Sequence, residues 1–400
     1  MKKLVVTLLS LLLISSGIYA QKNKRTSAYN YNKEYDNSIE MYRLKKDTKS
    51  LENAKKSIEL AKESIDPTIT NEKTMNDPKT WLYRGIIYYN LARLPLDEDS
   101  LGKVDREAAK VAFESLKKAK ELDVKKRYKT DIELNLQNLY NLYFSQGATN
   151  FNNQEYSLAK ENLKSAFAVQ ELKGVFDTTS AFYVGLVSFL DKDADNTIDF
   201  MQKCDQVNFK DPRVYVYWNR ALKMKGDTSA ALKIIGIGRE KYPEELSILL
   251  EEAQIYLEKG ENEKLKESLL KAVQKDSTNA NLWFLLGKTY DDEGDKVNAE
   301  KYYTKATIAK PDFFEAYYNI GAIYNNKASE LMKEANDLPL EESEKYNKLV
   351  KQADGFLEKS IPWLEKAYKI KPDDVYTRHA LKQAYTQLKE YDKAKALGDD

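Results

Sequence analysis

Metal chemistry has its best candidates in the stretch that begins at Asp191, where three alternating carboxylates precede an isoleucine and a fourth acid. Asp191, Asp193 and Asp195 have the spacing of the first ligands in a calcium-binding loop, where oxygen atoms surround the ion. Such a loop needs a bidentate carboxylate at its last position, and Gln202 stands there instead. We therefore predict a solvated turn between two helices and no metal site. Weak calcium binding by the three aspartates stays open as an alternative.

Nucleophilic and acid–base chemistry have few candidates, because the chain contains one histidine, His379, and one cysteine, Cys204. This rules out histidine or cysteine zinc clusters and a disulfide framework. His379 has no evident serine, cysteine or metal partner, and Cys204 falls at a position that favours small residues between packed helices. No phosphate-binding loop is present. We predict that the protein is not an enzyme and that it needs no cofactor.

Composition favours a folded, helical chain. The 400 residues include only 15 glycines and 9 prolines, about half of average usage, which argues against sandwiches, barrels and linker-rich chains. Hydrophobic residues make up 42% and aromatic residues 11%, enough to bury a core despite the many charged side chains. Basic and acidic residues number 64 and 63. This balance argues against a nucleic-acid partner.

The amino end is typical of a secretory signal peptide. Lys2 and Lys3 precede an apolar run over residues 4–14, and small residues follow up to Ala20. The run is shorter than the roughly 20 residues needed to span a bilayer, and no cysteine follows it for a lipid anchor. We expect cleavage after Ala20, export to the periplasm or the medium, and no stable membrane insertion of the mature chain.

A repeat of 34 residues runs through the chain. Small or compact residues recur at this interval at Gly185, Asn219, Ala253, Gly287 and Gly321. Repeats of this length are typical of stacked helical hairpins. The best-formed unit is residues 280–313. Its pattern residues are Trp283, Leu286, Gly287, Tyr290, Ala299, Tyr303, Ala306 and Pro311.

Within that unit, apolar residues at spacings of three and four predict two amphipathic helices. We expect Gly287 to lie opposite Ala299 and Ala306, so that the helices approach closely, with Tyr303 beside the contact. Pro311 should end the second helix. In this pattern the chain resembles the tetratricopeptide repeat (TPR) family. The resemblance implies an all-α fold, a right-handed superhelical solenoid of antiparallel helix pairs.

The repeat pattern divides the chain unevenly. Residues 1–20 are the predicted signal peptide, residues 21–177 hold divergent repeats, and residues 178–324 form the regular array. Residues 325–374 hold a repeat with an insertion of two long helices that we expect to meet at a proline. Residues 375–400 form a terminal, partly solvated repeat.

The resemblance also implies that partners bind on the concave surface, which the first helix of each pair lines. We predicted this groove by taking the helix face beside the packing stripe. Its amino-terminal part is aromatic and apolar, a basic interval follows, and the last part is mixed. The predicted groove residues are Phe144, Phe151, Phe182, Leu186, Phe189, Arg213, Arg220, Lys223, Phe284 and Lys288.

These features predict a non-enzymatic, exported scaffold that binds a protein or peptide segment on its concave face and supports assembly in the cell envelope. An alternative is an exported carbohydrate-binding repeat protein, because 28 tyrosines and 4 tryptophans offer rings on which sugars can stack. The sequence leaves the identity of the partner and the oligomeric state open.

Overall fold

Helices make up nearly all of the regular structure. The computed structural model describes residues 2–94 and 104–398, and for residues 2–22 it gives the backbone alone. No strand occurs in these residues, and the predicted all-α solenoid architecture is confirmed. The α-helices are α1 (Lys2–Lys45), α2 (Thr48–Ile65), α3 (Pro78–Ala92), α4 (Arg106–Leu122), α5 (Lys129–Asn152), α6 (Tyr156–Leu172), α7 (Thr178–Leu190), α8 (Ala194–Gln206), α9 (Arg213–Met224), α10 (Thr228–Lys241), α11 (Leu246–Lys259), α12 (Asn262–Lys275), α13 (Ala280–Asp292), α14 (Lys296–Ala309), α15 (Phe314–Asn336), α16 (Ser343–Ile370), α17 (Val375–Gln387) and α18 (Tyr391–Ala396).

Each odd-numbered helix packs on the even-numbered helix that follows it, so the described chain is a series of helical hairpins. The hairpins group into two compact units. The first unit ends at Phe209 and contains α1 to α8, and the second begins at Lys210 and contains α9 to α18. Within a unit, each even-numbered helix also packs on the first helix of the next hairpin. Such nearest-neighbour stacking is how repeat proteins build a continuous core.

Many second helices begin at an acidic residue that caps the exposed N–H groups of the first turn. Asp193, Asp227 and Asp295 lie at positions of the same 34-residue frame, and each side chain accepts a hydrogen bond from a backbone N–H three residues later. Glu261 stands between Asp227 and Asp295 in this frame and makes no such bond. The repeat period therefore appears in the caps as well as in the core.

Glycines on first helices form the closest contacts of the hairpins. A Cβ atom added at any of them would lie 2.6 to 2.7 Å from a large side chain on the second helix, closer than packed carbon atoms can approach. We call this contact the glycine seat. Its pairs are Gly85–Leu116, Gly147–Leu163, Gly185–Met201, Gly287–Tyr303 and Gly321–Leu364.

One detail of the sequence prediction was wrong. We expected the alanines Ala299 and Ala306 to face Gly287, with Tyr303 to one side. Instead, ring atoms of Tyr303 are the nearest neighbours of Gly287, and the Tyr303 side chain is fully buried. A ring lying over the glycine fills the interhelical space that two alanines would leave empty.

The glycine seat keeps a constant register. In three pairs, Gly147–Leu163, Gly185–Met201 and Gly287–Tyr303, the large residue follows the glycine by 16 positions. The separation is 31 in Gly85–Leu116 and 43 in Gly321–Leu364. The excess of 15 falls mostly in the α3–α4 connection, part of which (residues 95–103) lies outside the described residues, whereas the excess of 27 falls mostly within the longer helices α15 and α16. Insertions therefore lengthen a connection or the helices themselves and leave the contact in place.

The turns between paired helices share a left-handed residue. Glycine adopts this backbone without strain, whereas other residues incur a steric cost. Glycine occupies the position in only three of the short turns. The residues are Lys46 (φ 54°), Gln154 (φ 62°), Lys192 (φ 59°), Gly226 (φ 79°), Gly260 (φ 69°), Gly294 (φ 85°) and Lys389 (φ 63°).

The 27-residue excess takes the form of longer helices. α15 has 23 residues and α16 has 28, against 13 and 14 in the preceding pair. They meet near Pro339, where a short 3₁₀ helix, Leu340–Glu342, leads into α16. Buried alanines, among them Ala328 and Ala353, let the extended parts pack closely. Pro362 lies inside α16.

No helix among the described residues is both long and apolar enough to cross a membrane. The predicted signal peptide, residues 1–20, lies outside the residues whose side chains are described.

We predict opposite effects of alanine at two helical glycines. Gly287→Ala should lower the free energy of unfolding by about 1–2 kcal/mol, because its Cβ would clash with the buried Tyr303 ring. Gly236→Ala in α10 should raise it by up to about 1 kcal/mol, because no atom lies within 4 Å of the added Cβ and alanine favours helix. Urea unfolding followed by circular dichroism measures both. Equal effects at the two sites would contradict the proposed packing.

Candidate functional site

The aromatic residues predicted on α5 and α7 lie in the first unit. Phe144 is partly buried and stacks on Tyr140, with ring centroids 5.7 Å apart. Phe151 lies about two turns further along the same face of α5 and contacts rings from its own hairpin and from α7. The structure therefore joins Phe151 to the α7 aromatics, whereas Phe144 packs with its own helix and the adjoining core.

Five rings form a continuous chain of contacts, which we call the aromatic row. Neighbouring ring centroids are 5.6 to 6.5 Å apart, mostly in tilted or edge-to-face geometry, which the quadrupoles of aromatic rings favour. The row begins at the start of α6, crosses α5 and α7, and ends at the loop after α8. In order, its members are Tyr156, Phe151, Tyr183, Phe182 and Phe209.

Exposure differs sharply along this surface. The Tyr183 side chain is 38% exposed, whereas Phe182 is only 3% exposed and Leu186 9%. Phe182 and Leu186, predicted to face the groove, are therefore part of the interior and support the surface from beneath. Phe189 is partly buried. Tyr183 is the row residue that offers the most contact area to a partner.

Hydrogen bonds hold the two helices of the row in place. Asp177 caps α7 by accepting a bond from the Thr179 backbone N–H, and it also accepts a 2.9 Å bond from the Tyr140 hydroxyl on α5. Burial and this carboxylate both raise the pKa of Tyr140, so the phenol remains a donor at neutral pH. The start of α7 is thus tied to the α5 helix that carries Phe151.

The basic residues predicted in the groove lie on α9 in the second unit, and each is paired with an acid. Arg220 Nε donates a 2.6 Å bond to Glu251, a buried carboxylate on α11. These pairs compensate the positive charge of the interval. The ion pairs are Arg213–Asp211, Arg220–Glu251 and Lys223–Glu258.

Phe284 and Lys288 on α13 lie in different surroundings. The Phe284 ring packs between Tyr303 and Phe313, with centroids 5.3 and 5.1 Å away, so it contributes to the core of its hairpin. Lys288 is exposed and pairs with Asp292 one turn later, at 3.2 Å.

A lysine occupies the centre of the aspartate cluster considered as a calcium loop. Lys160 Nζ donates to Asp191 at 2.6 Å and to Asp193 at 2.8 Å. Asp193 also caps α8 through the Asn196 backbone N–H. Burial raises the pKa of Asp193, but the bonds from Lys160 and Asn196 outweigh it and lower that pKa to about 2. Within the described residues, no group of three or more metal-ligating side chains could hold an ion.

The single cysteine and the single histidine are not members of the aromatic row. Cys204 is fully buried in α8. His379 on α17 borders a shallow hollow whose lining holds no carboxylate, serine or cysteine. That lining comprises His379, Lys382, Gln383, Thr386, Gln387, Lys389 and Tyr391.

A family model for the tetratricopeptide repeat matches residues 280–313, the unit whose helices α13 and α14 form the Gly287–Tyr303 seat. Residues 280–313 are a tetratricopeptide repeat. This confirms the resemblance inferred from Trp283, Gly287 and Pro311. None of the curated proteins matches the sequence.

Among solved structures, the chain is similar to several TPR proteins. A MamA protein is 21% identical, with 46% of this chain and 87% of that chain covered and a TM-score of 0.36. YrrB, described as a TPR protein with an unusual peptide-binding site, is 15% identical over 44% of this chain and 88% of that chain, with a TM-score of 0.36. A TPR protein from Bacteroides fragilis is 17% identical over 62% and 98%, with a TM-score of 0.30. At such low TM-scores, these likenesses carry no argument about function.

The sequence prediction missed Tyr183, because it considered only one face of the first helix of each pair. Tyr183 follows Phe182 directly and lies at the edge of that face, where neighbouring first helices meet. It also missed Tyr156, the first residue of α6. An aromatic pair at residues 182 and 183 was the available signal, since adjacent residues of a helix point about 100° apart and two large rings there face different surroundings.

We predict that Lys160→Met weakens the helical hairpins of the first unit at neutral pH by about 1 kcal/mol, since Asp191 and Asp193 lose their cation. The pKa of Asp193 is lower in the folded chain, so its contribution is present above about pH 4 and is lost as the pH falls toward about 2. Urea unfolding between pH 7 and pH 3 measures this. Lys203→Met, which removes an exposed pair with Asp199, is the control. Indistinguishable pH profiles for the wild type and Lys160→Met would contradict the assignment.

Proposed function

We propose that this TPR protein is an exported, non-enzymatic scaffold that binds a segment of a partner protein on the aromatic row of its first unit. TPR architecture serves as a protein-interaction scaffold. The finer proposal rests on one observation, the partly exposed Tyr183 ring in a chain of five aromatic contacts. Aromatic residues in such surroundings dominate the binding energy of many protein interfaces.

The aromatic row suits an apolar or aromatic side chain of a peptide. The rings beneath Tyr183 are held by packing, so a partner would meet a surface that loses little side-chain entropy on binding. Tyr183 adds a hydroxyl at its edge, which can bond to a peptide backbone.

The ion pairs of the basic residues on α9 change one part of the predicted binding of a partner. Arg213, Arg220 and Lys223 were expected to meet acidic groups of the partner. In the structure, each of these three residues forms an ion pair with an acidic residue of the same chain. An acidic group of a partner would therefore have to displace an existing ion pair. We therefore place the main contribution to affinity at the aromatic row rather than at α9.

Export is proposed from the amino-terminal sequence, with its two lysines, short apolar run and small residues before Ala20. An exported scaffold of this kind would assemble proteins of the cell envelope. The proposal that it is not an enzyme rests on the absence of a nucleophile–base arrangement in the sequence pattern.

A photo-crosslinking amino acid at position 183 tests the site directly. We expect irradiation of cell envelopes to link position 183 to a discrete partner polypeptide. The same group at position 376 should give no such product. Tyr376 is 74% exposed on the first helix of the last hairpin, but it does not belong to the aromatic row. Equal products at both positions, or a linked glycan and no polypeptide at position 183, would contradict the proposal.

We further predict that Tyr183→Ser lowers the affinity for that partner by about tenfold or more, because a central aromatic contact is lost. Its effect on the free energy of unfolding should stay within about 1 kcal/mol, since only ring contacts at a partly exposed position are removed. Tyr376→Ser is the matched control. Binding unchanged by Tyr183→Ser would show that the row is structural.

A further inference from the structure

A cleft of about 520 Å³ lies in the second unit, beside the extended α15–α16 hairpin. The turn between α13 and α14 and the start of α14 form one wall, α15 forms the other, and Phe356 of α16 contributes to the lining. Clefts of this volume are large enough to enclose a side chain or a small ligand. Lys327 and Glu330, which line part of it, lie in the portion of α15 that extends beyond the length of α13.

The charges that line the cleft are compensated except at Glu300. Lys296 pairs with Asp291 at 2.6 Å, and Lys327 pairs with Glu330 at 3.0 Å. The Glu300 carboxylate instead accepts a 2.5 Å hydrogen bond from the Tyr324 hydroxyl. No cationic residue of the described chain forms an ion pair with it. The cleft therefore retains one uncompensated negative charge.

Aromatic rings lie beside that carboxylate. Tyr324 and Phe356 are stacked, with ring centroids 6.4 Å apart and an interplanar angle of 29°. The faces of such rings attract cations. Lys359 Nζ already lies 5.5 Å from the Phe356 centroid, so this ring accepts a cation in the structure. Exposed Val297 borders the same cleft and can cover the aliphatic part of a long side chain.

We propose that this cleft binds an arginine or lysine side chain of a partner polypeptide, with Glu300 pairing with the cation and Tyr324 and Phe356 contacting its apolar stem. A carboxylate beside aromatic rings suits a guanidinium, which is planar, always charged and able to stack. The site lies in the second unit and uses none of the residues of the aromatic row. It therefore stands or falls independently of the proposed function.

The probe is the blocked pentapeptide Gly-Gly-Arg-Gly-Gly, titrated into the full chain with ¹³C-labelled isoleucine methyl groups. Ile323 lines the cleft and is the reporter, assigned through Ile323→Val. We expect a saturable shift of the Ile323 methyl signal that weakens as salt is added. The same peptide with glutamine in place of arginine should give no saturable shift. Argininamide, which carries the same cation, should bind more weakly if the site takes a polypeptide side chain.

Glu300→Gln should weaken binding of the arginine peptide about fivefold or more, and Phe356→Leu should weaken it by removing a ring while keeping apolar volume. Glu365→Gln is the matched control. Tyr385 donates a 2.5 Å bond to Glu365 in the same unit, but neither residue lines the cleft. Glu365→Gln should leave binding unchanged.

The proposal is overturned if the glutamine peptide shifts Ile323 as the arginine peptide does, if Glu300→Gln binds like the wild type, or if Glu365→Gln weakens binding as much as Glu300→Gln. It is also overturned if argininamide binds as tightly as the peptide, since the site would then take a free cation. Tyr183→Ser should leave the Ile323 response intact. If Tyr183→Ser abolished both the Ile323 response and binding of the envelope partner, the two sites would be one site, and this assignment would be contradicted.

Discussion

The glycine seat is the contact on which five of the nine described hairpins depend. Where the first helix carries a glycine, a leucine, methionine or tyrosine side chain of the second helix fills the space that a Cβ would take. Only that one side chain then separates the two backbones. The register of 16 residues occurs where a three-residue turn with a left-handed residue joins the helices, as at Gln154, Lys192 and Gly294. Stacking of successive hairpins then produces the core, and the surface residues of the first helices are left for recognition.

The seat also explains how the fold accommodates the insertion in the α15–α16 hairpin. Gly226, Gly260 and Gly294 end the first helices of three hairpins at intervals of 34, each with a left-handed backbone. Gly355 follows Gly294 by 61 residues, which is one period plus the 27 extra residues. It occupies the turn position of the repeat but lies inside α16. The inserted residues thus moved the turn outward along both helices, and part of the lining of the cleft around Glu300 lies on that extension.

Much of the fold could be predicted from the sequence, because a 34-residue period and helical spacing of apolar residues are local signals. The helix pairs and the close contact at Gly287 followed from them. The partner of Gly287 did not, since alanines and Tyr303 lie on nearly the same face of α14 and only three-dimensional packing selects between them. The candidate site was less predictable. Which of two adjacent aromatics is buried at residues 182 and 183, and whether Arg220 has an acid from α11, both depend on the neighbouring repeat.

The most direct test of this account removes residues 326–352, which restores the 16-residue separation of Gly321 and Leu364 and returns Gly355 to the turn position. We predict that the shortened chain unfolds cooperatively in urea with undiminished helical content per residue. Gly321→Ala should then destabilise both the full and the shortened chain by about 1–2 kcal/mol, since its Cβ would lie 2.6 Å from Leu364. A shortened chain that fails to fold, or a Gly321→Ala variant as stable as its parent, would contradict the central role of the glycine seat.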